Sequence, residues 1–356
     1  METKKETPTK KQCYFAAANG YAGFLSYFDK VFNSGEYERV FVLKGGPGTG
    51  KSSFMRKMSD RLFGEGVEVE EIFCSSDPKS LDGIICSCGD KKAALLDGTA
   101  PHERDAKIPG AIDSLINLGD NWDEVWLRGY RGEILSLCSE KSEAYERAYF
   151  YLRIAGACHG EIKGVQMRSC NLKKLKMEAK KQAEMLSCGH EGKEKTRLIS
   201  SFGRYGEYRL DTLKEISKRV LSPVGSKGTA EIFMRELCDN LRLMSAEMTV
   251  CPSPFDKEVV EAIYLPASSV LISAVDAGEP INLEFCQDEK SAVSGEGARR
   301  AAAIMRDALS EAERWFAIAS DLHFRLEEIY SRAMNFDKND ALYENCLDKI
   351  LALLKP

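Results

Sequence analysis

Gly45-Gly46-Pro47-Gly48-Thr49-Gly50-Lys51-Ser52 satisfies the phosphate-binding pattern of Gly, four free positions, Gly, Lys, then Ser or Thr. At ordinary residue usage a chain of this length meets the pattern by chance about once in a hundred. Glycines at 45, 48 and 50 let the backbone turn with positive φ, so that successive N–H groups can face phosphate oxygens. A helix beginning near Lys51 would point the positive end of its dipole at the same anion. In such a loop Lys51 reaches the β- and γ-phosphates and the Ser52 hydroxyl ligates Mg²⁺, with Ser53 completing the site. Pro47 restricts the loop and lowers the entropy lost on binding.

The flanking residues supply the elements this chemistry needs. Arg39-Val40-Phe41-Val42-Leu43 reads as a short buried strand feeding the loop. Phe54, Met55, Met58 and Leu62 then repeat at helical spacing until Gly64 can end the helix. Val67–Cys74 alternates as a strand and empties into Ser75-Ser76-Asp77-Pro78, where Asp77 could orient water or substrate, or cap the turn. Lys92-Ala93-Ala94-Leu95-Leu96-Asp97 is an apolar run ending in a carboxylate, the arrangement that places a metal-side Asp at a strand's C-terminal edge. His102 and Glu103 follow within a few residues. His102 suits a γ-phosphate sensor or a water-orienting group.

An internal repeat lies at an offset of 179 residues (233 − 54). Phe54-Met55-Arg56 returns as Phe233-Met234-Arg235. Asp60, Leu62, Glu68, Asp77 and Ile84 match Asp239, Leu241, Glu247, Asp256 and Ile263. In that register Lys51 falls opposite Ala230 and Ser52 opposite Glu231, with Val224–Thr229 where the loop should be. A glutamate at the position expected for the metal ligand would repel a γ-phosphate. Ser269-Val270-Leu271-Ile272-Ser273 lies at the place of the Asp97 strand, with Ser for Asp. The second copy is expected not to bind nucleotide in the usual way.

The expected fold is α/β: a P-loop-type parallel sheet flanked by helices, duplicated, each half trailed by a helical hairpin. The expected divisions are an α/β core over 1–131, a hairpin over 132–195, a degenerate core over 196–290 and C-terminal helices over 291–356. Within the hairpins the expected helices are 132–160 and 162–187, then 296–333 and 340–354. The segment 163–197 carries ten Lys/Arg and four Glu, which reads as a solvated face or a surface docked on acidic neighbours rather than a nucleic-acid site.

The 356 residues, with 44% hydrophobic and 29% charged content and a net charge of −5, are those of a soluble globular chain without general attraction to nucleic acid or membrane. No apolar run approaches a membrane span, and the lysine-rich stretch Met1–Gln12 lacks the apolar core of a secretory signal, so the expected location is the cytoplasm. Twelve cysteines are scattered. Cys86-Ser87-Cys88 and Cys188-Gly189-His190 are the only close groupings, and neither has a partner at zinc spacing.

With these motifs in hand the chain resembles an uncharacterised bacterial family of P-loop ATPase-like proteins built as two tandem P-loop halves. The likeness rests on Val42–Ser52, on Cys74-Ser75-Ser76-Asp77 with Leu81-Asp82-Gly83, on Asp97-Gly98-Thr99-Ala100-Pro101-His102, and on Pro109-Gly110-Ala111 running to Asn117-Leu118-Gly119-Asp120. It is strong over roughly 10–130 and traceable over 197–350. The resemblance implies ATP binding and brings no substrate. In that family the second half usually keeps a working loop, and this sequence departs there.

Three function classes follow. The first is a slow Mg-ATP hydrolase with one active and one inactive half. The second is a P-loop kinase acting on a small molecule, and the third is a nucleotide-switched binding module with a protein or small-molecule partner. A GTPase is disfavoured because neither Asp-x-x-Gly nor Asn-Lys-x-Asp occurs, and the Leu-Ser-Gly-Gly signature of transporter ATPases is absent. Arg128 and Arg131 are the arginines near the active half that could neutralise phosphate charge, or simply pair with neighbouring acids.

Overall fold

The structure, a computed structural model, describes residues 10–187, 192–287 and 296–355. Most of the lysine-rich N-terminal stretch and the Cys188-Gly189-His190 grouping lie outside the described residues. The first half runs β1 (Gln12–Phe15), β2 (Ala17–Gly20), β3 (Gly23–Ser26), α1 (Phe28–Val31), β4 (Arg39–Lys44), α2 (Lys51–Gly64) and β5 (Glu68–Phe73). It continues through β6 (Leu81–Cys88), β7 (Lys91–Asp97), β8 (Asp113–Asn117), α3 (Glu124–Gly129), α4 (Arg131–Met167) and α5 (Leu172–Leu186). The second half runs β9 (Glu194–Thr196), β10 (Ser200–Gly203), β11 (Gly206–Arg209), α6 (Thr212–Ile216), β12 (Arg219–Val224) and α7 (Lys227–Leu243). It ends with β13 (Met248–Pro252), β14 (Val260–Leu265), β15 (Val270–Ser273), β16 (Glu279–Asn282), α8 (Glu296–Arg332) and α9 (Phe336–Leu354).

The chain is α/β and its two halves carry the same sheet. The first is ordered β1-β5-β6-β7-β4-β8 and the second β9-β13-β14-β15-β12-β16. Pairing senses match one for one: parallel, antiparallel, antiparallel, parallel, parallel. Even the irregularity recurs. A register shift falls between Ile72 and Phe73 in one ladder and between Cys251 and Pro252 in the other, 179 residues on.

The sheets are mixed rather than parallel, which corrects the expectation from sequence. Only Gly89 and Asp90 join β6 to β7, and only residues 74–80 join β5 to β6. Connections this short cannot carry the crossover that parallel neighbours need, so β6 runs against both of its partners. The helical boundaries also shift. α4 continues to Met167, and the break comes at the next N-cap, Asn171, whose side chain accepts from the Lys174 amide. α9 begins at Phe336 for the same reason: Asn335 accepts from Lys338.

The chain separates into two compact units. One comprises Met1–Ala16, Ser26–Glu146 and Trp315–Pro356, and the other Ala17–Leu25 and Arg147–Arg314. In the first unit Val40 to Leu43 of β4 are almost wholly buried, and Phe41 and Leu43 share a core with Phe54, Met55, Met58 and Leu62 of α2. The same core takes Tyr343, Leu347, Ile350 and Leu354 from α9. In the second unit α7 packs Phe233, Met234, Leu237 and Leu241 onto its sheet, and α5 adds Leu175, Ala179 and Ala183. The helix that covers each core together with α2 or α7 therefore comes from the other half's trailing segment. Burial of these aliphatic and aromatic side chains, at roughly 1.5–3 kcal/mol each, is what holds the sheets and helices together.

One strand position carries a buried acid in both halves: Asp82 on β6 and Glu261 on β14, 179 residues apart and equally placed in the two ladders. Burial pushes the Glu261 carboxyl up to about 7, although Ser200, Ser253 and Arg209 favour its charged form. The folded chain thus holds this proton more tightly than the unfolded chain does. The group's stabilising contribution is complete below its unfolded value near 4.5 and is lost as pH rises toward 7. Glu261→Gln should therefore leave stability near pH 4.5 unchanged and raise it by about 3 kcal/mol at pH 8. Denaturant unfolding at the two pH values measures this, and a pH-independent difference would contradict the assignment.

Candidate functional site

The glycine-rich loop leaves the C-terminal end of β4, which lies between two parallel neighbours, β7 and β8. Gly45, Gly48 and Gly50 adopt φ of +148°, +69° and +85°, as the sequence requires of them. Thr49, fully buried, donates from its hydroxyl to the Gly46 carbonyl at 2.9 Å, closing the loop on itself. The loop is also held from outside. Asn339 donates to the Thr49 carbonyl at 3.0 Å, and the rings of Trp122 and Tyr330 flank Gly46. At Gly48 the backbone of α8 approaches so closely that an added Cβ would meet the Glu327 carbonyl oxygen at 2.4 Å.

The helix behind the loop begins in an unusual way. Gly50, left-handed, is the N-cap of α2, and no side chain caps that helix among the described residues. The first amides of a helix have no partner within it, so the start of α2 presents donors and a positive dipole end to whatever lies in the loop. Lys51 opens this helix and curls back, donating to the Gly45 carbonyl at 2.7 Å and the Gly46 carbonyl at 2.8 Å. Ser52 accepts from the Leu81 amide at 2.9 Å through its hydroxyl oxygen, which ties α2 to the start of β6. Ser53 is exposed on the same first turn. Pro47 occupies the loop between Gly46 and the tightly packed Gly48.

Asp97 ends β7 directly beside the loop strand, paired in register with Leu43. Its carboxylate lies 3.6 Å from the Lys51 ammonium and accepts from the Thr99 amide and hydroxyl. Burial raises its pKa, and Lys51 and Thr99 offset only part of that shift. A carboxylate this desolvated gains from a nearby cation, so Asp97 together with the Ser52 hydroxyl could hold a hydrated divalent ion.

His102 is placed differently. It is buried, stacked on the Phe28 ring at 3.9 Å, and its Nε2 lies 3.0 Å from Asp82 Oδ2. Asp82 also raises the Asp97 pKa through its charge, so the two carboxylates share one electrostatic neighbourhood. Asp82, which holds His102, enters the sequence analysis only within the Leu81-Asp82-Gly83 likeness and without a role at the site. The signal was present in Leu81-Asp82-Gly83-Ile84-Ile85: a lone charged residue inside an apolar strand. Beside His102 lies a hollow of about 240 Å³ lined by Ser26, Phe28, Asp29, Pro101, Glu103 and Arg104. Asp77 takes the turn-forming role, its Oδ1 accepting from the Lys79 amide at 3.0 Å. Arg128 pairs with Glu124 one turn away on an exposed face.

The equivalent place in the second unit is built from other chemistry. The sequence reading expects a loop over Val224–Thr229, but the chain is helical from Lys227 and only Gly225 and Ser226 separate β12 from α7. Ser226 caps this helix, accepting from the Thr229 amide, and the Gly228 amide donates to Gln166 Oε1 at 2.7 Å. Glu231 is buried between His159 and Lys163, at 3.2 and 3.1 Å. The ladder also places Ala274, rather than Ser273, at the position of Asp97: Ile84 pairs with Leu95 as Ile263 pairs with Ile272. The next acid along the chain, Asp276, is bound by Arg209 and Ser273.

Comparison of the chain with protein-family models, curated proteins and solved structures finds no match. Among the described residues no helix is long and apolar enough to cross a membrane.

The loop's packing gives a direct test. Gly48→Ala forces a Cβ onto the Glu327 carbonyl at a left-handed φ and should cost about 2–4 kcal/mol. At Gly46 the nearest atoms are ring carbons at 3.4 Å or more, so Gly46→Ala should cost under about 1 kcal/mol. Denaturant midpoints compare the two, and equal losses would show that α8 does not grip the loop at Gly48.

Proposed function

We propose that the first half binds Mg²⁺ and ATP in the loop Gly45–Ser53, and that the protein is a slow cytoplasmic P-loop ATPase whose second half binds no nucleotide. One observation carries this reading. A left-handed glycine loop opens onto the uncapped start of α2, with Lys51 and Asp97 at its mouth. The residues fit the ligand in kind: three positive-φ glycines, an ammonium and a carboxylate stand at one loop.

In this reading Lys51 exchanges the Gly45 and Gly46 carbonyls for the terminal phosphates, a short swing for a flexible side chain. The Ser52 hydroxyl oxygen, which accepts from the Leu81 amide, would help hold the cation. Asp97, desolvated beside Lys51, would help hold the hydrated cation. His102, fixed by Asp82 and Phe28, holds that acid in place beside Asp97. Mg²⁺, when bound, would supply charge neutralisation to the phosphates. The protein's part is positioning and electrostatics, which dominate phosphoryl transfer.

Phosphoryl transfer to a small acceptor is a second reading, favoured by the hollow beside His102. Label from γ-labelled ATP appearing on a metabolite, rather than as free phosphate, would select it.

Lys51→Ala should lower phosphate release about a hundredfold or more, because the ammonium contact strengthens as charge builds on the β–γ bridge. Asp97→Asn should retain nucleotide, which the backbone amides still hold, while the Mg²⁺ concentration for half-maximal turnover rises about 10- to 100-fold. Phosphate release that survives in Lys51→Ala, or an unmoved Mg²⁺ midpoint in Asp97→Asn, would overturn the assignment.

A further inference from the structure

The second unit contains a charged cluster that the proposed activity does not use. α7 starts where the glycine loop stands in the first half, and three side chains of α4 meet it: His159, Lys163 and Gln166, on successive turns of one face. Gln166 gives its amide oxygen to the Gly228 N–H, one of the α7 donors that could otherwise face an anion. The Lys163 ammonium bridges two carboxylates, Glu231 Oε2 at 3.1 Å and Asp256 Oδ2 at 3.2 Å. Glu231 stands at the repeat position of Ser52, and Asp256 at that of Asp77. His159 Nε2 completes the set, 3.2 Å from Glu231 Oε1. The Tyr21 ring lies 5.6 Å from the His159 ring and 5.2 Å from that of Phe255, so aromatic surface borders the cluster.

Both acids behave as partners of a cation. Burial raises the Glu231 pKa, but the His159 hydrogen bond and the Lys163 charge prevail and hold it below the usual carboxylate range. Asp256 is likewise held low, against its burial, by the Glu258 amide and Lys163. Its turn repeats that of Asp77: each aspartate accepts from the amide two residues on. The scaffold of the site is thus retained, while its contents come from the chain itself.

We propose that the second half is a self-liganded site: its acids form an ammonium-binding pocket, filled by Lys163 of α4, and Gln166 takes the donor that a phosphate would need. The pocket is specific for a primary ammonium, which donates to Asp256 while its charge lies against Glu231. This inference concerns the second unit alone and stands or falls independently of nucleotide binding in the first.

Chemical rescue tests it in the full-length protein. Lys163→Ala strands the buried Glu231 and the partly exposed Asp256 and should lower Tm by several degrees. Millimolar ethylammonium should restore most of that loss in Lys163→Ala while leaving the wild type unmoved, and tetramethylammonium, which has no N–H, should restore none. Adding Glu231→Gln to Lys163→Ala should abolish the rescue. Lys163→Gln provides a second host for the titration if the alanine variant folds poorly. The inference is overturned by a wild-type Tm in Lys163→Ala, by equal effects of the two cations, by rescue persisting without Glu231, or by both variants staying unfolded in ethylammonium.

Discussion

An α-helix begins with backbone N–H groups that its own hydrogen-bond ladder cannot reach, and those donors need acceptors. The two halves meet this constraint in opposite ways. α2 follows a left-handed glycine, and among the described residues no side chain caps its first N–H groups. α7 is capped by Ser226 and receives Gln166 as well. Much else follows from that difference. Lys51 and Asp97 line the mouth of the first site because β4 and β7 are parallel neighbours ending at one edge. In the second, Glu231 and Lys163 neutralise each other in a space that needs no outside ligand.

The repeat makes the comparison informative, because strand order, pairing sense and the position of the irregularity are the same in both sheets. The halves differ at the turn after the central strand and at the connection that follows β7 or β15, which runs over 98–112 in the first half and 274–278 in the second. Residues 45–50 form a non-helical loop in the first half; in the second the helix begins three residues earlier in the repeat register, at Lys227. The earlier start satisfies backbone groups internally and removes the concave run of amides that an anion requires. A compact, apolar core survives in each unit, so loss of the site does not entail loss of the fold.

Much of the first half was legible from residue order. The apolar runs of β4 and β7 are short and bounded by polar residues, and α2 shows its buried face at helical spacing. Asp97 is the last residue of such a run, and the structure sets it beside Lys51. The mixed sense of the sheet was not legible, because an apolar strand such as β6 reads alike in either direction. Only the shortness of the Gly89-Asp90 connection decides it. Nor did the second loop reveal itself. Gly225-Ser226-Lys227-Gly228 looks like a turn, yet Ser226 is a helix cap and Gly228 lies inside the first turn, where Gln166 from a distant segment packs against it. The role of Asp82 escaped for a similar reason. Its meaning depends on His102, which lies on another element.

The central claim is that one of two similar halves holds nucleotide. Calorimetric titration of the full-length protein with a non-hydrolysable ATP analogue and Mg²⁺ addresses it most directly, run beside the same titration of Lys51→Ala. The account predicts a stoichiometry near one per chain, with the binding heat lost or strongly reduced in the variant. A stoichiometry near two, or binding undiminished without Lys51, would contradict it.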